Sequence, residues 1–210
     1  RFHWAKSFSE GLAPVCTGLC RGNDLAQARI GYIDRTGKYV LPAKYGRGGR
    51  FSEGLASASA TAGIFAPMGF IDKSGRFALA PRYMWAAEFH HGLAETDQGF
   101  VNRSGDIAIP KHGTEQGVGF RGGWAPILEG GSVTYIDTTG KVVLKTRYQD
   151  AGPFSEDLAA ACERHCGPSG SDGSWGYIDR KGQFAIKPQF GYRPGPFRNG
   201  LALVCFGCTE

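Results

Sequence analysis

The chain has 210 residues, of which 33 are glycine and 41% are hydrophobic, and its formal net charge is +5. This length allows a sizeable buried core, and excess glycine without a low-complexity tract indicates many tight turns. The basic residues are scattered singly, which argues against a nucleic-acid partner, and no apolar stretch approaches the ~20 residues of a membrane-spanning helix. We therefore expect no nucleic-acid binding and no membrane-spanning segment.

Two motifs alternate along the chain, and the first of them is Phe-x-x-Gly-Leu-Ala. It begins at Phe8, Phe51, Phe89, Phe120, Phe154 and Phe197. Trp124 replaces the leucine in the fourth copy, and Asp157 replaces the glycine in the fifth. The segment predicts a strand that opens at Gly-Leu-Ala, with the leucine facing the core.

The second motif is Gly-aromatic-Ile-Asp followed by x-x-Gly. Its five copies begin at Gly31, Gly69, Gly99, Thr134 and Gly176. Asp or Asn at the first position of a four-residue turn accepts hydrogen bonds from turn amides, and glycine at the fourth position can adopt a positive φ. The motif therefore predicts a strand that runs into a turn. Four recurring aspartates are interpreted as turn residues rather than as an acidic metal site: Asp34, Asp72, Asp137 and Asp179.

The segment after each turn predicts a returning strand, which usually ends at a proline because proline cannot donate to a β-ladder. Each unit of about forty residues thus contains about three short strands, too few to be stable alone. We predict an all-β fold of tandem repeats, either a propeller-like ring or an open β-solenoid, in one domain over 1–210. The predicted repeats are 8–50, 51–88, 89–119, 120–153 and 154–196, followed by a half-repeat at 197–210.

Length variation between the repeats falls in one loop per repeat. The distance from the last glycine of the turn motif to the next repeat phenylalanine is 14 or 15 positions in all five repeats. The distance from the alanine of Gly-Leu-Ala to the next turn motif varies instead from 5 to 18 positions. Because stacked repeats share one orientation, we expect these variable loops to share one face. Such faces are the usual binding surfaces of repeat proteins.

Together the two motifs resemble the WG-repeat family of bacterial proteins, whose unit reads roughly Trp-Gly-Tyr-Ile-Asp-Lys-x-Gly-x-x-Val-Ile-x-Pro-x-Tyr and then Phe-x-x-Gly-Leu-Ala. The resemblance extends from Phe8 to Ala202, although only Trp175-Gly176 keeps the dipeptide that names the family. The tryptophan position is otherwise held by Ile30, Met68, Gln98 and Val133. The resemblance implies a binding or surface module, often exported, and supplies no catalytic residues.

Six cysteines fall in three local pairs: Cys16 and Cys20, Cys162 and Cys166, and Cys205 and Cys208. The first cysteine of each pair lies three residues after a repeat alanine, so the pairs occupy equivalent positions. We expect disulfides, because pairs this close can meet the usual Cα separation at a turn and none is left over. Pairing between neighbouring loops stays open. Disulfides favour an extracytoplasmic location, either periplasmic or secreted.

Zinc is the alternative for some of these cysteines. If the chain closes into a ring, four thiolates could bind one zinc ion. They would come from Cys16, Cys20, Cys205 and Cys208. Free thiols, or a redox-active pair formed by Cys205 and Cys208, are a further alternative.

The aromatic and apolar residues around the second variable loop are the candidates for binding. Aromatic residues anchor protein interfaces and stack on sugar rings. We predict a binding surface that contains Phe65, Met68, Tyr83 and Trp85. It would take a protein partner through the variable loops, with a carbohydrate or cell-wall ligand as the alternative.

No arrangement of residues indicates catalysis. His90 and His91, beside Glu88, occupy the x-x positions of Phe-x-x-Gly, where the other repeats carry unrelated residues. The sequence contains no nucleophile elbow, no phosphate-binding glycine loop and no paired-histidine metal motif. We expect a non-enzymatic protein without a cofactor.

Overall fold

The computed structural model describes residues 2–18, 28–111, 114–115, 119–163, 166 and 175–205. Every regular element in these ranges is a β-strand, so the predicted all-β fold is confirmed. Contacts divide the chain into two units, Arg1–Pro110 and Lys111–Glu210, and each is described by itself. None of the described residues forms a helix with the length and apolarity needed to cross a membrane.

The first unit contains one antiparallel sheet for each of the first three repeats. Its strands are β1 (Trp4–Ala5), β2 (Ala13–Thr17), β3 (Arg29–Ile33), β4 (Tyr39–Tyr45), β5 (Arg47–Gly48), β6 (Ala56–Ser59), β7 (Met68–Ile71), β8 (Phe77–Tyr83), β9 (Leu93–Thr96), β10 (Gly99–Asn102) and β11 (Ile107–Pro110). Strands adjacent in sequence pair to give the sheets β1-β2-β3-β4, β5-β6-β7-β8 and β9-β10-β11. Each repeat is therefore a meander with local connections.

The second unit repeats this arrangement for the fourth and fifth repeats. Its strands are β12 (Thr114–Glu115), β13 (Trp124–Glu129), β14 (Ser132–Asp137), β15 (Val142–Lys145), β16 (Asp150–Ala151), β17 (Ala159–Cys162), β18 (Trp175–Ile178) and β19 (Phe184–Phe190). They form the sheets β12-β13-β14-β15 and β16-β17-β18-β19.

Four of the five sheets have four strands rather than the predicted three. The additional strand has only two residues and precedes the repeat phenylalanine, as β5 does for Phe51. In the third repeat it is reduced to one bridge, between Ala86 and Thr96. A two-residue strand leaves no alternation of apolar and polar residues in the sequence, which is why the pattern did not reveal it.

Phe-x-x-Gly-Leu forms a two-residue hairpin at the start of each long strand. In the second repeat the backbone groups of Ser52 and Leu55 hydrogen-bond to each other, and Glu53 and Gly54 have φ values of 53° and 79°. Positive φ at both central residues defines the type I′ turn, which matches the twist of paired strands. Asp157 occupies the glycine position of the fifth copy with φ 63°.

The aspartate of the second motif organises its turn in the predicted way. In the second repeat, Asp72 Oδ1 accepts hydrogen bonds from the backbone N–H groups of Ser74 (2.8 Å) and Arg76 (3.2 Å). The Ser74 hydroxyl also donates to Oδ1 and, with the turn amides, lowers the pKa of Asp72. A structural role therefore accounts for this recurring carboxylate without a metal.

The two faces of each sheet belong to different core layers. In the second repeat Leu55 packs in a cluster with Phe70 and Leu79, whereas Ala56 and Ala58 pack in the cluster of the first repeat. Alternation along the strand produces this division. We call the side that carries Leu55, and its equivalents in other repeats, the forward face, because it contributes to the next core layer.

Buried tyrosine hydroxyls join consecutive repeats within each unit. Each donates a hydrogen bond to a glycine carbonyl that lies either two residues before the next repeat phenylalanine or at the end of the next Asp-x-x-Gly turn: Tyr32 to Gly49 (2.9 Å), Tyr45 to Gly75 (2.8 Å), Tyr135 to Gly152 (2.7 Å), Tyr148 to Gly182 (2.8 Å) and Tyr177 to Gly195 (2.7 Å). Burial raises the pKa of these tyrosines above its ordinary value. The recurring tyrosines therefore serve packing between repeats.

Candidate binding surfaces

The meander topology separates two ends of each sheet. The Asp-x-x-Gly and Phe-x-x-Gly turns lie at one end, and the variable loops lie at the other, because successive connections of a meander alternate between ends. The described variable loops are residues 60–67, 97–98 and 130–131. Most of the two cysteine-containing loops lies outside the described residues.

An exposed apolar cluster occupies the variable-loop end of the first unit. Phe65 is 85% exposed, Met84 is 69% exposed and Ile64 is 49% exposed. These three residues are called the variable-loop patch. Ile64 and Phe65 belong to the loop between β6 and β7, whereas Met84 follows β8 directly.

Hydrogen bonds hold the two backbone segments of the variable-loop patch side by side. Arg47 Nη1 donates long hydrogen bonds to the carbonyls of Ile64 (3.4 Å) and Met84 (3.3 Å). The Met84 N–H donates to Asp97 Oδ1 at 2.9 Å, which connects it to the variable loop of the third repeat. One guanidinium nitrogen with two acceptors connects the two segments, so the apolar side chains emerge from neighbouring stretches of backbone.

The predicted surface residues do not all lie at the surface. Phe65 is exposed and Trp85 is half-buried. Tyr83 is fully buried in the second core cluster, and Met68 is only 4% exposed. The side chains of Met68 and Tyr83 point into the core from β7 and β8. Of the predicted residues, only Phe65 and Trp85 therefore remain in the candidate surface, which also includes Ile64 and Met84.

Met84 was not among the predicted surface residues, because the residue that recurs between repeats at this point is the aromatic before it, Tyr83. The signal lies in the comparison of repeats: the residue after the recurring tyrosine is Gly46 in the first repeat and Gln149 in the fourth, but methionine in the second. Because glycine is accepted at this position in another repeat, the core does not need a large apolar side chain there.

A pocket of about 270 Å³ opens in the same unit. Its lining includes Trp4, Lys6, Arg47, Ser57, Met68 and Ala86. Lys6 lies 5.6 Å from the ring centroid of Trp4 and donates a long hydrogen bond to the Gly48 carbonyl (3.4 Å). The pocket is bordered by the short edge strands and by Arg47, whose guanidinium also contacts the variable-loop patch.

One of the predicted disulfides is described in full. Cys162 and Cys166 are bonded, with their Cα atoms 5.7 Å apart. Cys16 and Cys205 each take part in a disulfide bond, and sulfur atoms in that state are not the thiolate ligands that the zinc alternative needs. The predictions for Cys20 and Cys208 lie outside the described residues.

The polar residues near His90 form an ion pair. Arg50 donates to both carboxylate oxygens of Glu88 (2.8 and 3.1 Å), and His90 Nε2 lies 3.8 Å from Glu88. His91 is a turn residue with φ 54°. Within the described ranges, no group of three or more His, Cys, Asp and Glu side chains is arranged to hold a metal ion.

These features define a β-repeat protein whose motifs build turns and core layers and whose differences between repeats concentrate in loops. The family model for the WG-containing repeat matches residues 1–18, 30–59, 68–96, 134–164 and 175–207, and the chain belongs to this family. No curated protein sequence matches the chain.

Proposed function

We propose that the chain is a non-enzymatic binding module and that a protein partner binds the variable-loop patch. The observation that carries this proposal is the convergence of Ile64, Phe65 and Met84 from two segments that Arg47 holds together. Folded proteins bury most large apolar side chains, and an exposed apolar cluster is typical of an interface. The motif residues form turns or pack in the core, whereas these three side chains are exposed.

The energetic case rests mainly on Phe65. Burial of a side chain of this size contributes roughly 1.5 to 3 kcal/mol, and aromatic residues in the centre of a patch dominate binding energies. The partner is a protein surface that supplies a complementary apolar pocket.

A protein partner is favoured over the carbohydrate alternative by the location of the aromatic residues. The recurring tyrosines that suggested stacking on sugar rings have their rings in the core and their hydroxyls bonded to backbone carbonyls. Sugar binding uses exposed aromatic faces with nearby polar groups. The variable-loop patch is apolar, and the neighbouring polar side chains of Arg47 and Asp97 hydrogen-bond to backbone groups.

We also propose an extracytoplasmic location, periplasmic or secreted. The Cys162–Cys166 disulfide supports it, since structural disulfides persist in oxidising compartments. A cytoplasmic fraction that contains most of the protein with reduced cysteines would contradict it.

The proposed function is tested by capture with matched surface variants. Phe65→Asp and Met84→Asp place a carboxylate in the variable-loop patch, and Ile107→Asp is the control, because Ile107 is 50% exposed on β11 of the same unit. We expect the unmodified chain and the Ile107→Asp control to capture the same partner. The Phe65→Asp and Met84→Asp variants should bind that partner with an affinity lower by about tenfold or more.

Three results would overturn the proposed function. The first is a partner retained equally by the Phe65→Asp and Ile107→Asp variants. The second is the failure of the unmodified chain to retain any protein. The third is retention on insoluble peptidoglycan or a glycan array, with a dependence on Trp85 and not on Phe65, which would establish the carbohydrate alternative instead.

A further inference from the structure

A groove of about 510 Å³ lies in the second unit, between the end of β15 and the turn of the fifth repeat. Residues 145–148 line one side and residues 181–184 line the other, and we call it the basic groove. The two sides are connected by the rings of Tyr148 and Phe184, whose centroids lie 5.0 Å apart, and by the hydrogen bond from the Tyr148 hydroxyl to the Gly182 carbonyl. Packing within one unit therefore sets the position of both sides.

Positive charge distinguishes the basic groove. Of the residues that line it, Lys145, Arg147 and Lys181 are cationic and none is acidic. Lys145 and Lys181 are exposed, and the Arg147 side chain is 72% exposed. Two carboxylates lie nearby: Glu163 pairs with Arg147 at 3.0 Å, and Asp179 opens the turn. Three cations beside two acids leave a surplus of positive charge along the groove.

Lysine at position 181 departs from the pattern of the other turns. In three other repeats the equivalent residue is serine or threonine, and its hydroxyl donates a 2.6 Å hydrogen bond to the turn aspartate: Thr36 to Asp34, Ser74 to Asp72 and Thr139 to Asp137. Lys181 donates to Asp179 through its backbone N–H, at 2.9 Å. The turn forms in those repeats without a cation, so the fold does not require the positive charge at position 181.

Arg147 already binds a carboxylate. In the second repeat the equivalent Arg82 donates to the Gly105 carbonyl. In the fourth repeat the Tyr148 hydroxyl donates to the corresponding glycine carbonyl, and the Arg147 guanidinium pairs with Glu163 instead. An ion pair this exposed is weak, so a carboxylate from another chain can compete for the same guanidinium.

The turn favours a carboxylate over a phosphate as the ligand. Phosphate sites use backbone N–H groups as donors, but here the N–H groups of Lys181 and Gln183 donate to Asp179 Oδ1 at 2.9 and 3.0 Å. The Asp179 carboxylate also repels a doubly charged group more than a singly charged one. Lysine and arginine side chains pair well with carboxylates, and several cations along one groove match several carboxylates carried on one chain.

We propose that the basic groove binds an acidic segment of another protein, whose carboxylates pair with Lys145, Arg147 and Lys181. Charge pairs between exposed groups contribute chiefly to recognition and to the rate of association, and salt weakens them. The basic groove lies in the second unit and the variable-loop patch in the first, so this proposal does not rest on the proposed function.

A peptide titration tests the basic groove. The probe is a fluorescent synthetic oligoglutamate peptide, and a matched peptide carries glutamine in place of each glutamate. Anisotropy is measured against the full chain at low ionic strength, where exposed charges are screened least. A DNA duplex is titrated in parallel, because it presents phosphates instead of carboxylates.

Two chain variants lose the same net charge. The groove variant combines Lys145→Ala with Lys181→Ser, because alanine and serine stand at the equivalent positions of the second and third repeats. The control variant combines Arg35→Ala with Lys38→Ala, which removes two exposed cations from the first unit. Thermal unfolding verifies that both variants are folded, as the exposure of all four side chains predicts.

We expect saturable binding of the oligoglutamate peptide to the unmodified chain and to the control variant. The groove variant should bind it about tenfold or more weakly, and the glutamine peptide should not bind. The proposal is overturned by a lack of saturation up to about 1 mM peptide, or by equal binding to the groove and control variants, which would show a general effect of net charge. Binding of the DNA duplex that is at least as tight and equally dependent on the two lysines would also overturn it, and would assign the groove to a phosphate backbone.

Discussion

Replacing Tyr135 with phenylalanine removes one buried hydrogen bond, between the sheet of the fourth repeat and the segment that leads into Phe154, and leaves the ring in place. The Tyr135 side chain is 0% exposed, and its hydroxyl donates to the buried Gly152 carbonyl at 2.7 Å. A neutral hydrogen bond contributes about 1 kcal/mol net, and a buried group left without a partner costs about 1 to 3 kcal/mol. We expect Tyr135→Phe to lower the free energy of unfolding by about 2 kcal/mol.

Urea unfolding followed by tryptophan fluorescence measures this loss. Trp124 and Trp175 both report on the second unit, and the ring centroid of Trp124 lies 6.2 Å from that of Tyr135. The control is Tyr39→Phe, because the Tyr39 side chain is 39% exposed. The midpoint should fall for Tyr135→Phe with an unchanged slope and stay constant for the control. A change below about 0.5 kcal/mol for Tyr135→Phe would refute the role of the tyrosine hydroxyls in joining repeats.

Three further predictions concern stability. Burial raises the pKa of Tyr135 above 10.0, so the contribution of its hydroxyl to the free energy of unfolding is complete below pH 10 and is lost as the pH rises beyond it. Unfolding midpoints should therefore fall above about pH 10, and they should fall less for Tyr135→Phe. Removal of the Cys162–Cys166 disulfide, with a sequence separation of 4, should cost about 2 kcal/mol in denaturant unfolding by chain entropy, and no loss would refute this. Asp157→Gly should raise the free energy of unfolding by about 0.5 kcal/mol, because glycine adopts the positive φ without strain. The ion pair that is lost, to Arg180, is exposed and contributes little. A lower free energy of unfolding would show instead that this ion pair contributes more than the backbone strain costs.

The repeat motifs made most of the fold predictable. Aspartates such as Asp72 were correctly interpreted as turn residues, because an Asx turn depends on a local pattern of hydrogen bonds. The hairpin at Phe-x-x-Gly was recognised only as the start of a strand. The residue before the glycine, such as Glu53, also has a positive φ, and side-chain identity at that position varies too much to indicate it.

The binding surface was less predictable, for a different physical reason. The sequence placed Phe65 and Tyr83 in one group of aromatic candidates, yet Phe65 is exposed and Tyr83 is buried. Which side of a strand an aromatic residue faces depends on register, and a shift of one residue exchanges the two faces. The proximity of Met84 to the loop at 60–67 depends on Arg47, a tertiary contact that no local pattern encodes. The single-domain organisation over 1–210 stays a prediction.

Photo-cross-linking from the variable-loop patch tests most directly whether a protein partner binds there. A benzophenone side chain is introduced at position 65, at position 84 or at the control position 107, and the protein is irradiated in the cells that produce it. Positions 65 and 84 should give the same protein adduct, because both segments lie on one surface, and position 107 should give none. The absence of an adduct from positions 65 and 84, or an equal adduct from position 107, would contradict the proposed function.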